Sequence, residues 1–264
     1  MMKQSFKSMM LMGAFMFSLL LCLTSCEDVL GHWEKPTPVT PTPTPTPEPE
    51  PEPTPTPGLL AGKFKINADG DQVQFSKGNL RYVSGTWSFF DNQYDYYTTY
   101  SADSWDKFGW STSANTFGKS ISIADGDYSG DFVDWGATMG SGWRTLTKDE
   151  WTYLFNNHTK GWATVNGVNG YVIRPDGITT AVEATYDATA WATEETNGAV
   201  FLPAAGLRNG TGVSFTENGY YWSSSPKDAS YAYRVKFSST EMNPADNSGN
   251  RYFGHSVRLV RDAE

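Results

Sequence analysis

Apolar and polar side chains alternate in short runs through most of residues 59–264. Residues 64–66 (FKI) and 72–75 (QVQF) alternate in this way, and Asn, Asp and Gly separate them, so together they predict an opening β-hairpin. The uniformly apolar residues 200–202 (VFL) predict a buried strand. The other predicted strands are residues 79–83, 87–89, 231–237 and 256–260. These runs, punctuated by Gly, Asn and Asp, predict a largely antiparallel β background.

Two segments depart from this pattern and predict helices. Thr147 and Glu150 form a capping box, in which the Thr oxygen caps the amide three residues on and the Glu side chain reaches back. Apolar residues then recur at helical spacing, so we predict a helix over residues 148–157. A weaker pattern predicts a second helix over residues 187–196, ended by Gly198. Two helices in a mainly antiparallel β background place the domain in the α+β class.

The amino-terminal residues 1–25 are typical of a signal peptide. Two lysines precede residues 9–23 (MMLMGAFMFSLLLCL), an apolar run that is short for a bilayer span and suits a signal-peptide core. Small residues stand directly before Cys26, as a lipoprotein signal peptidase requires. We therefore expect Cys26 to be lipidated and to anchor the chain to a membrane. An ordinary secretory signal with a chance cysteine, or an uncleaved anchor, is the alternative interpretation.

A proline-rich tether follows, and residues 26–58 are assigned to the lipidated cysteine and this tether. Every second or third residue of 36–57 (PTPVTPTPTPTPEPEPEPTPTP) is proline, which prevents both helix and sheet. Such a segment favours polyproline II, with a reach on the order of 65–70 Å when fully extended. A ligand for an SH3-type domain is the other interpretation of a proline run. Residues 59–264 contain no second linker and are interpreted as one domain.

Composition excludes several classes of protein. The net charge of −9 argues against a nucleic-acid binder, because phosphate contacts need a basic face. The two cysteines, Cys22 and Cys26, both lie near the amino terminus, so the domain has neither a disulfide framework nor a cysteine-ligated metal site. Aromatic residues make up 15% of the chain, which is enough to build a core and excludes wholesale disorder.

Five segments, in order, carry a resemblance that runs from about residue 64 to residue 262. They are Asp134-Trp135-Gly136, residues 142–151 (GWRTLTKDEW), residues 201–208 (FLPAAGLR), residues 221–225 (YWSSS) and residues 254–260 (GHSVRLV). This order resembles Bacteroidetes surface lipoproteins with a C-type-lectin-like fold. That group is related to the Fibrobacter paralogous domain and, more remotely, to formylglycine-generating enzymes. The resemblance implies a C-type-lectin-like α+β domain at the cell surface, with Arg144 and Arg258 as buried, hydrogen-bonded residues of its frame.

Residues 221–260 also resemble the variable region of proteins that retroelements diversify, where a fixed frame of residues holds interchangeable side chains. The frame includes Trp222, Val257 and Leu259, which we expect in the core. The resemblance implies a ligand-binding face made of Tyr231, Tyr233, Arg234, Lys236, Glu241, Asn243, Asp246, Ser248, Phe253 and His255. Tyr and Arg supply contact area and hydrogen bonds at low entropic cost, as in antibody paratopes. The alternative is that Tyr231 and Tyr233 alternate on a strand and pack.

The motifs for catalysis and metal binding are incomplete in this chain. Residues 125–131 (DGDYSGD) carry oxygen ligands at alternate positions, but Gly136 stands where an EF-hand needs its last carboxylate, so an acidic turn is favoured over a calcium site. Sugar-binding C-type lectins use Glu-Pro-Asn or Gln-Pro-Asp, whereas residues 242–246 here read MNPAD. His255 lies in no nucleophile elbow, and the domain has no cysteine for formylglycine-type chemistry. We predict no cofactor, no metal and no catalytic residue.

Three hypotheses for the function follow. The first is a lipid-anchored protein of the outer membrane, on the cell surface, whose carboxyl-terminal face binds a surface protein or a glycan. The second is an enzyme, such as a hydrolase of surface glycans, which would need an acidic pair in a cleft. The third is a structural subunit of a fimbria or adhesin, which would need an exposed strand groove or a donor segment. A β-rich, tethered domain without catalytic motifs favours the first.

Overall fold

The computed structural model describes residues 57–264. The predicted signal peptide, the lipidation site Cys26 and the tether up to residue 56 lie outside the described residues, so those assignments stay predictions. Within residues 57–264, no helix has both the length and the apolar character that a bilayer span requires.

The described chain consists of short strands and two α-helices. The strands are β1 (Leu59–Lys65), β2 (Gln72–Ser76), β3 (Leu80–Val83), β4 (Thr86–Phe89), β5 (Ser104–Trp105), β6 (Trp143–Thr145), β7 (Lys160–Val165), β8 (Val168–Ile173), β9 (Thr185–Tyr186), β10 (Val200–Pro203), β11 (Leu207–Asn209), β12 (Gly212–Ser214), β13 (Gly219–Pro226), β14 (Tyr231–Phe237), β15 (Met242–Asn250) and β16 (Leu259–Asp262). The helices are α1 (Lys148–Asn157) and α2 (Ala188–Thr196). This composition confirms the predicted α+β class.

The strands of the described region form five small sheets. Two have four strands, in the orders β1-β2-β16-β6 and β10-β8-β7-β9. Two have three strands, in the orders β13-β14-β15 and β4-β3-β5, and β11 pairs with β12 alone. Among these pairs only β7 and β9 run parallel. The small antiparallel sheets therefore depend on contacts between sheets, because no single sheet is large enough to organise the core.

The predicted opening hairpin is confirmed. Phe64 of β1 lies opposite Val73 of β2, and the inward-facing residues of both strands are buried. β16 then pairs with β2, where Val260 lies opposite Phe75, and with β6 on its other side. The last strand thus completes the sheet that the first two strands begin. Trp151 of α1 packs on this sheet, with its ring centre 5.9 Å from that of Phe75.

Local capping chemistry sets both helices. The Thr147 hydroxyl accepts from the Glu150 amide at 3.2 Å, and the Glu150 carboxylate accepts from the Thr147 amide at 2.7 Å. This confirms the capping box and the helix over residues 148–157. The Asp187 side chain caps α2 by accepting from the Ala190 amide at 2.8 Å, and Gly198 follows the helix with a φ of 87°. The predicted helix over residues 187–196 is confirmed, with Asp187 as its cap.

The prediction for the last two strands is partly wrong. β14 has the predicted bounds, but β15 lies between it and the final strand, which begins at Leu259 rather than at residue 256. The sequence of β15 (MNPADNSGN) is polar and contains a proline, and two register shifts interrupt its pairing with β14. The segment therefore has no alternation of apolar and polar residues from which a strand could be predicted. The strand forms because β14 supplies hydrogen-bonding partners, which a hydrophobic pattern does not record.

The β7–β8 hairpin is also absent from the sequence-based strands. Asn166 and Gly167 connect its strands with φ values of 47° and 83°, and both lie in the left-handed region. Asn-Gly at these two positions is typical of a type I′ turn, whose twist matches that of the strands. The hairpin could therefore have been found from its turn.

Buried tryptophans form a core in which residues from the middle of the chain pack against residues from its carboxyl-terminal part. Trp110, Trp135 and Trp222 are each at most 1% exposed, and they cluster with Val257 and Leu259. The Trp222 ring nitrogen donates to the Phe108 carbonyl at 2.7 Å, and that of Trp110 donates to the Ser223 carbonyl at 3.0 Å. The expectation that Trp222, Val257 and Leu259 supply core is confirmed.

Arg258 forms a fully buried polar centre. Its guanidinium donates to the Asn79 side chain at 3.3 Å and to the Gln93 side-chain oxygen. The same Gln93 oxygen accepts from the Phe201 amide at 2.8 Å, while its nitrogen donates to Glu195 at 3.0 Å. Burial lowers the pKa of Arg258 to about 10, which leaves it protonated at neutral pH. The predicted burial of Arg258 is confirmed, whereas Arg144, predicted to be buried in the same way, is only half-buried because its guanidinium lies in a cleft beside Glu150 and Asp262. Gln93 connects Arg258 to Glu195 through hydrogen bonds.

We predict that Thr147→Ala lowers the free energy of unfolding by about 0.5–2 kcal/mol, because the Glu150 amide loses its cap. Thr179→Ala, in an exposed loop, is the matched control and should change it by less than about 0.5 kcal/mol. Urea unfolding followed by tryptophan fluorescence measures both. Equal stability of Thr147→Ala and the wild type would contradict the assignment of this cap.

Candidate functional site

The three-stranded sheet β13-β14-β15 holds most of the predicted ligand-binding residues. Its central strand, β14, places Arg234 opposite Asp246 of β15 and Lys236 opposite Asn243. Residues directly opposite each other in an antiparallel pair share a face of the sheet. One face of β14–β15 therefore collects these four side chains, and we call it the carboxyl-terminal face.

A buried network centred on Arg234 forms the base of this face. Arg234 donates to the Asp246 carboxylate at 2.7 Å, to Nε2 of His255 at 2.9 Å and to the Ser248 hydroxyl at 3.2 Å. Ser248 in turn donates to Asp246 at 2.8 Å. Arg234 is 6% exposed, Asp246 is 9% exposed and His255 is completely buried. The network thus fixes three polar side chains beneath the surface.

The charges of this network are fixed by its contacts. Burial alone would raise the pKa of Asp246, but hydrogen bonds and charge attraction from Arg234 outweigh burial and hold that pKa below its usual value. Burial, and secondly the positive charge of Arg234, lowers the pKa of His255 well below its usual value. His255 is therefore neutral, with Nε2 accepting from Arg234 and Nδ1 donating to the Gly254 carbonyl at 3.1 Å.

Aromatic rings enclose the neutral imidazole. The ring centre of His255 lies 4.2 Å from that of Trp222 and 5.3 Å from that of Tyr220, which stacks on it. The Arg234 guanidinium lies 4.8 Å from the Tyr220 ring centre. Sequence analysis missed Tyr220, although the strand alternation that places Trp222 in the core places Tyr220 on the same face. That alternation was the signal that could have found it.

Around this base lies a rim of more accessible side chains. Lys236 forms an ion pair with Glu241 at 2.9 Å, and Asn243 and Ser248 are exposed. Phe253 is half-buried, and its ring centre lies 6.2 Å from that of His255. The rim therefore combines a cation, an anion, two neutral polar groups and an aromatic ring on one accessible part of the surface.

Tyr231 and Tyr233 do not join the carboxyl-terminal face. They alternate with Ala232 and Arg234 along β14, so they lie on its opposite side. The ammonium of Lys148, on α1, lies 5.5 Å from the Tyr233 ring centre, and that of Lys227 lies 4.9 Å from the Tyr231 ring centre. Both tyrosines are half-buried and packed beside lysines, which agrees with the alternative that they alternate on a strand and pack.

The burial of Arg234, Asp246 and His255 corrects the expectation that all predicted side chains are displayed. Their hydrogen bonds run to one another, to Ser248 and, from Nδ1 of His255, to the Gly254 carbonyl. The spacing of these residues along the sequence could not distinguish the three buried residues from the residues of the rim, because both groups are mainly polar and come from the same segment. Their role in this structure is to position the rim.

Three acidic side chains of the described residues line one cleft. No three His, Cys, Asp or Glu side chains of residues 57–264 converge as a metal site would require. A cleft of about 390 Å³ contains Asp71, Glu150 and Asp262 beside the half-buried Arg144. Arg144 binds both Glu150 and Asp262 at 2.9 Å, and Asp71 accepts from Asn67 at 2.8 Å. These carboxylates are therefore engaged in structural contacts, Glu150 doubly so through its helix cap.

Comparisons with known proteins add no relative. No family model, no curated protein and no solved structure matches this chain. The resemblance to surface lipoproteins with a C-type-lectin-like fold therefore rests on the sequence segments alone.

We predict that His255 makes the fold sensitive to mild acid. The folded chain keeps His255 neutral, whereas the unfolded chain takes up a proton as the pH falls below about 6.5. Stability contributed by the neutral ring is therefore complete above that pH and is lost below it, by at most about 1.4 kcal/mol per pH unit. The lowered pKa of Asp246 acts only below about pH 4, so the two effects are separable.

Urea unfolding between about pH 7.5 and about pH 5 measures this effect. His255→Gln keeps an acceptor for Arg234 but does not titrate, so we expect it to remove the acid-dependent loss even where it lowers the absolute stability. An unchanged pH dependence in His255→Gln would show that another group is responsible.

Proposed function

We propose that this chain is a lipid-anchored ligand-binding protein of the cell surface, held at the outer membrane through Cys26. In this proposal residues 26–58 form a stiff spacer and residues 59–264 a C-type-lectin-like domain. The domain presents its carboxyl-terminal face to a partner at the surface. The proposed partner is a protein or a glycan, and the contacts below favour a protein.

The observation that carries this proposal is the separation of base and rim on the carboxyl-terminal face. Arg234 is fully engaged below the surface, while Lys236, Asn243 and Phe253 above it are accessible. A binding surface needs side chains that are free to contact a partner and held on a rigid support. The buried network supplies that support.

A protein partner is favoured by the shape and composition of the rim. Its side chains stand in cross-strand rows on an open sheet, where Lys236 lies opposite Asn243. Small-molecule sites are concave, whereas an open row of charged, polar and aromatic side chains suits a broad contact with a protein. A glycan bound at this face is the other outcome that the experiment below resolves.

Contacts between the matched segments support the C-type-lectin-like proposal. Asp134 accepts from the Thr145 amide at 3.0 Å and from its hydroxyl at 2.8 Å, which joins the DWG segment to the GWRTLT segment. A Cβ atom at Gly136 would lie 2.0 Å from the Trp143 carbonyl oxygen, so only glycine fits there. The residues that carry the resemblance thus have defined structural reasons for their identities.

We predict that the double variant Lys236→Ala/Phe253→Ala weakens capture of the partner by at least about tenfold, as loss of central contact residues does. The matched control is Tyr231→Ala/Tyr233→Ala on the opposite side of β14, which should leave capture unchanged. An array of surface proteins and glycans, probed with the whole chain, identifies the partner and its class. The absence of any binder that the rim pair weakens and the control pair does not would contradict the assignment of this face.

We also predict that Cys26→Ala abolishes incorporation of labelled palmitate and releases the protein from the membrane fraction, because the lipid attachment atom is gone. Cys22→Ala, within the predicted signal peptide, is the matched control and should leave both unchanged. Radiolabelling and cell fractionation measure the two effects. Palmitate incorporation that survives Cys26→Ala would contradict the lipoprotein assignment.

A further inference from the structure

A groove of about 550 Å³ lies between the loop of residues 90–98 and the tip of the β7–β8 hairpin. Its lining includes Tyr94, Tyr96 and Tyr97 from the loop and Asn166 from the hairpin tip. None of its lining residues belongs to the carboxyl-terminal face. The volume lies within the roughly 300–1,000 Å³ of small-ligand sites in proteins.

A buried ion pair holds the loop of residues 90–98, which we call the tyrosine loop, in place. Lys107 and Asp106 lie 3.0 Å apart, and their side chains are 1% and 6% exposed. Asp106 accepts from the Tyr97 amide at 2.8 Å, and Lys107 donates to the Tyr97 carbonyl at 2.7 Å. Two buried charges therefore bind both backbone polar groups of one loop residue. Such a loop is fixed before any ligand arrives, which lowers the entropic cost of binding.

Further contacts hold the two ends of the loop. Gln93, directly before Tyr94, is completely buried and bonded to the Arg258 centre. The Tyr97 ring meets the Phe90 ring edge-on at a centre-to-centre distance of 5.1 Å. The Lys107 ammonium lies 5.4 Å from the Tyr96 ring centre. The aromatic side chains of the groove are thus supported from below rather than left loose at the surface.

Four polar side chains that line this groove have unused hydrogen-bonding capacity. No other residue of 57–264 forms a hydrogen bond with the hydroxyls of Tyr94, Tyr96 and Tyr97 or with the side-chain amide of Asn166. The three tyrosines are half-buried, so each offers part of an apolar ring together with a free hydroxyl. A ligand that suits them has an apolar face and a rim of hydroxyl groups.

The charged side chains at the groove indicate which class of ligand it can bind. The one cation of the groove, Arg81, lies 3.6 Å from Asp91 and 5.0 Å from the Phe90 ring centre. Asp95 also lines the groove, where it accepts from the Asn92 side chain at 3.0 Å. The groove therefore has no surplus positive charge, and the chain carries a net charge of −9. An anionic ligand would be repelled.

We propose that this groove binds an uncharged pyranose glycan. A pyranose ring presents carbon-bound hydrogens on its faces and hydroxyls at its edge, which match the tyrosine rings, the free phenol hydroxyls and the Asn166 amide. The site is separate from the carboxyl-terminal face, so the domain has two binding surfaces of different chemistry. This proposal does not depend on the partner proposed for the carboxyl-terminal face.

The test titrates the whole chain with three uncharged hexasaccharides, maltohexaose, cellohexaose and β-1,4-mannohexaose, and with anionic hexagalacturonate, by isothermal titration calorimetry. We expect binding of at least one uncharged hexasaccharide and a loss of about tenfold in affinity for Tyr96→Ala, because a stacking face is removed. Asn166→Asp keeps a residue that tolerates the hairpin turn and should also weaken binding, because its amide donors are lost.

Two controls separate the groove from other surfaces. Tyr153→Ala removes a half-buried tyrosine of α1, and Lys236→Ala/Phe253→Ala alters the carboxyl-terminal face; both should bind the hexasaccharide as the wild type does. Binding of none of the uncharged hexasaccharides, binding of hexagalacturonate alone, or an affinity unchanged by Tyr96→Ala and Asn166→Asp in folded protein would each overturn the proposal. Loss of affinity in Lys236→Ala/Phe253→Ala alone would overturn it as well, because the glycan would then occupy the other face.

Discussion

The buried guanidinium of Arg258 is the constraint on which the rest of the domain depends. It is fully buried and protonated, and among the described residues it contacts amide and carbonyl oxygens rather than a carboxylate. Burial of a charge is costly unless it is hydrogen-bonded. Gln93 meets part of this requirement, since its oxygen accepts from Arg258 while its nitrogen donates to Glu195 of α2, and Nε of Arg258 has no hydrogen-bond partner among the described residues. Small sheets that could not organise a core alone are thereby joined at one point, where the Phe201 amide is also bound.

This centre connects the two surfaces that we propose for binding. Gln93 fixes the start of the tyrosine loop on one side. On the other side Arg258 follows His255 by three residues, and Ser256 between them bonds to the backbone of Trp222 in β13. The base of the carboxyl-terminal face and the support of the groove are therefore parts of one hydrogen-bonded interior. Both surfaces are rigidly supported because they share this interior. Accessible side chains at either surface can therefore be replaced without disturbing the buried hydrogen bonds beneath them.

The sequence predicts the elements whose signals are local and misses those whose partners are distant. Both helices follow from local signals, the capping box at Thr147 for α1 and Gly198 after the end of α2, so their predicted bounds lie close to those of the structure. β15 was missed because its polar residues form a strand only beside β14. The candidate site divides in the same way. The frame residue Trp222 was placed correctly in the core, whereas the burial of Arg234 depends on Asp246 and on a histidine brought from outside the sheet, a pairing that spacing does not reveal.

The separation of the carboxyl-terminal face into a buried base and an accessible rim limits which of its positions can vary. Lys236 and Arg234 are two residues apart and chemically alike, yet Lys236 is accessible and Arg234 is enclosed by Tyr220, Asp246 and His255. Replacing Arg234 would leave a buried carboxylate without its partner, a change that costs about 3–5 kcal/mol. Replacing Lys236 removes only a partly exposed ion pair with Glu241, worth about 0–1 kcal/mol. A surface that exchanges its side chains for new ligands can therefore do so at the rim alone, and the network beneath must keep its residues for the rim to keep its shape.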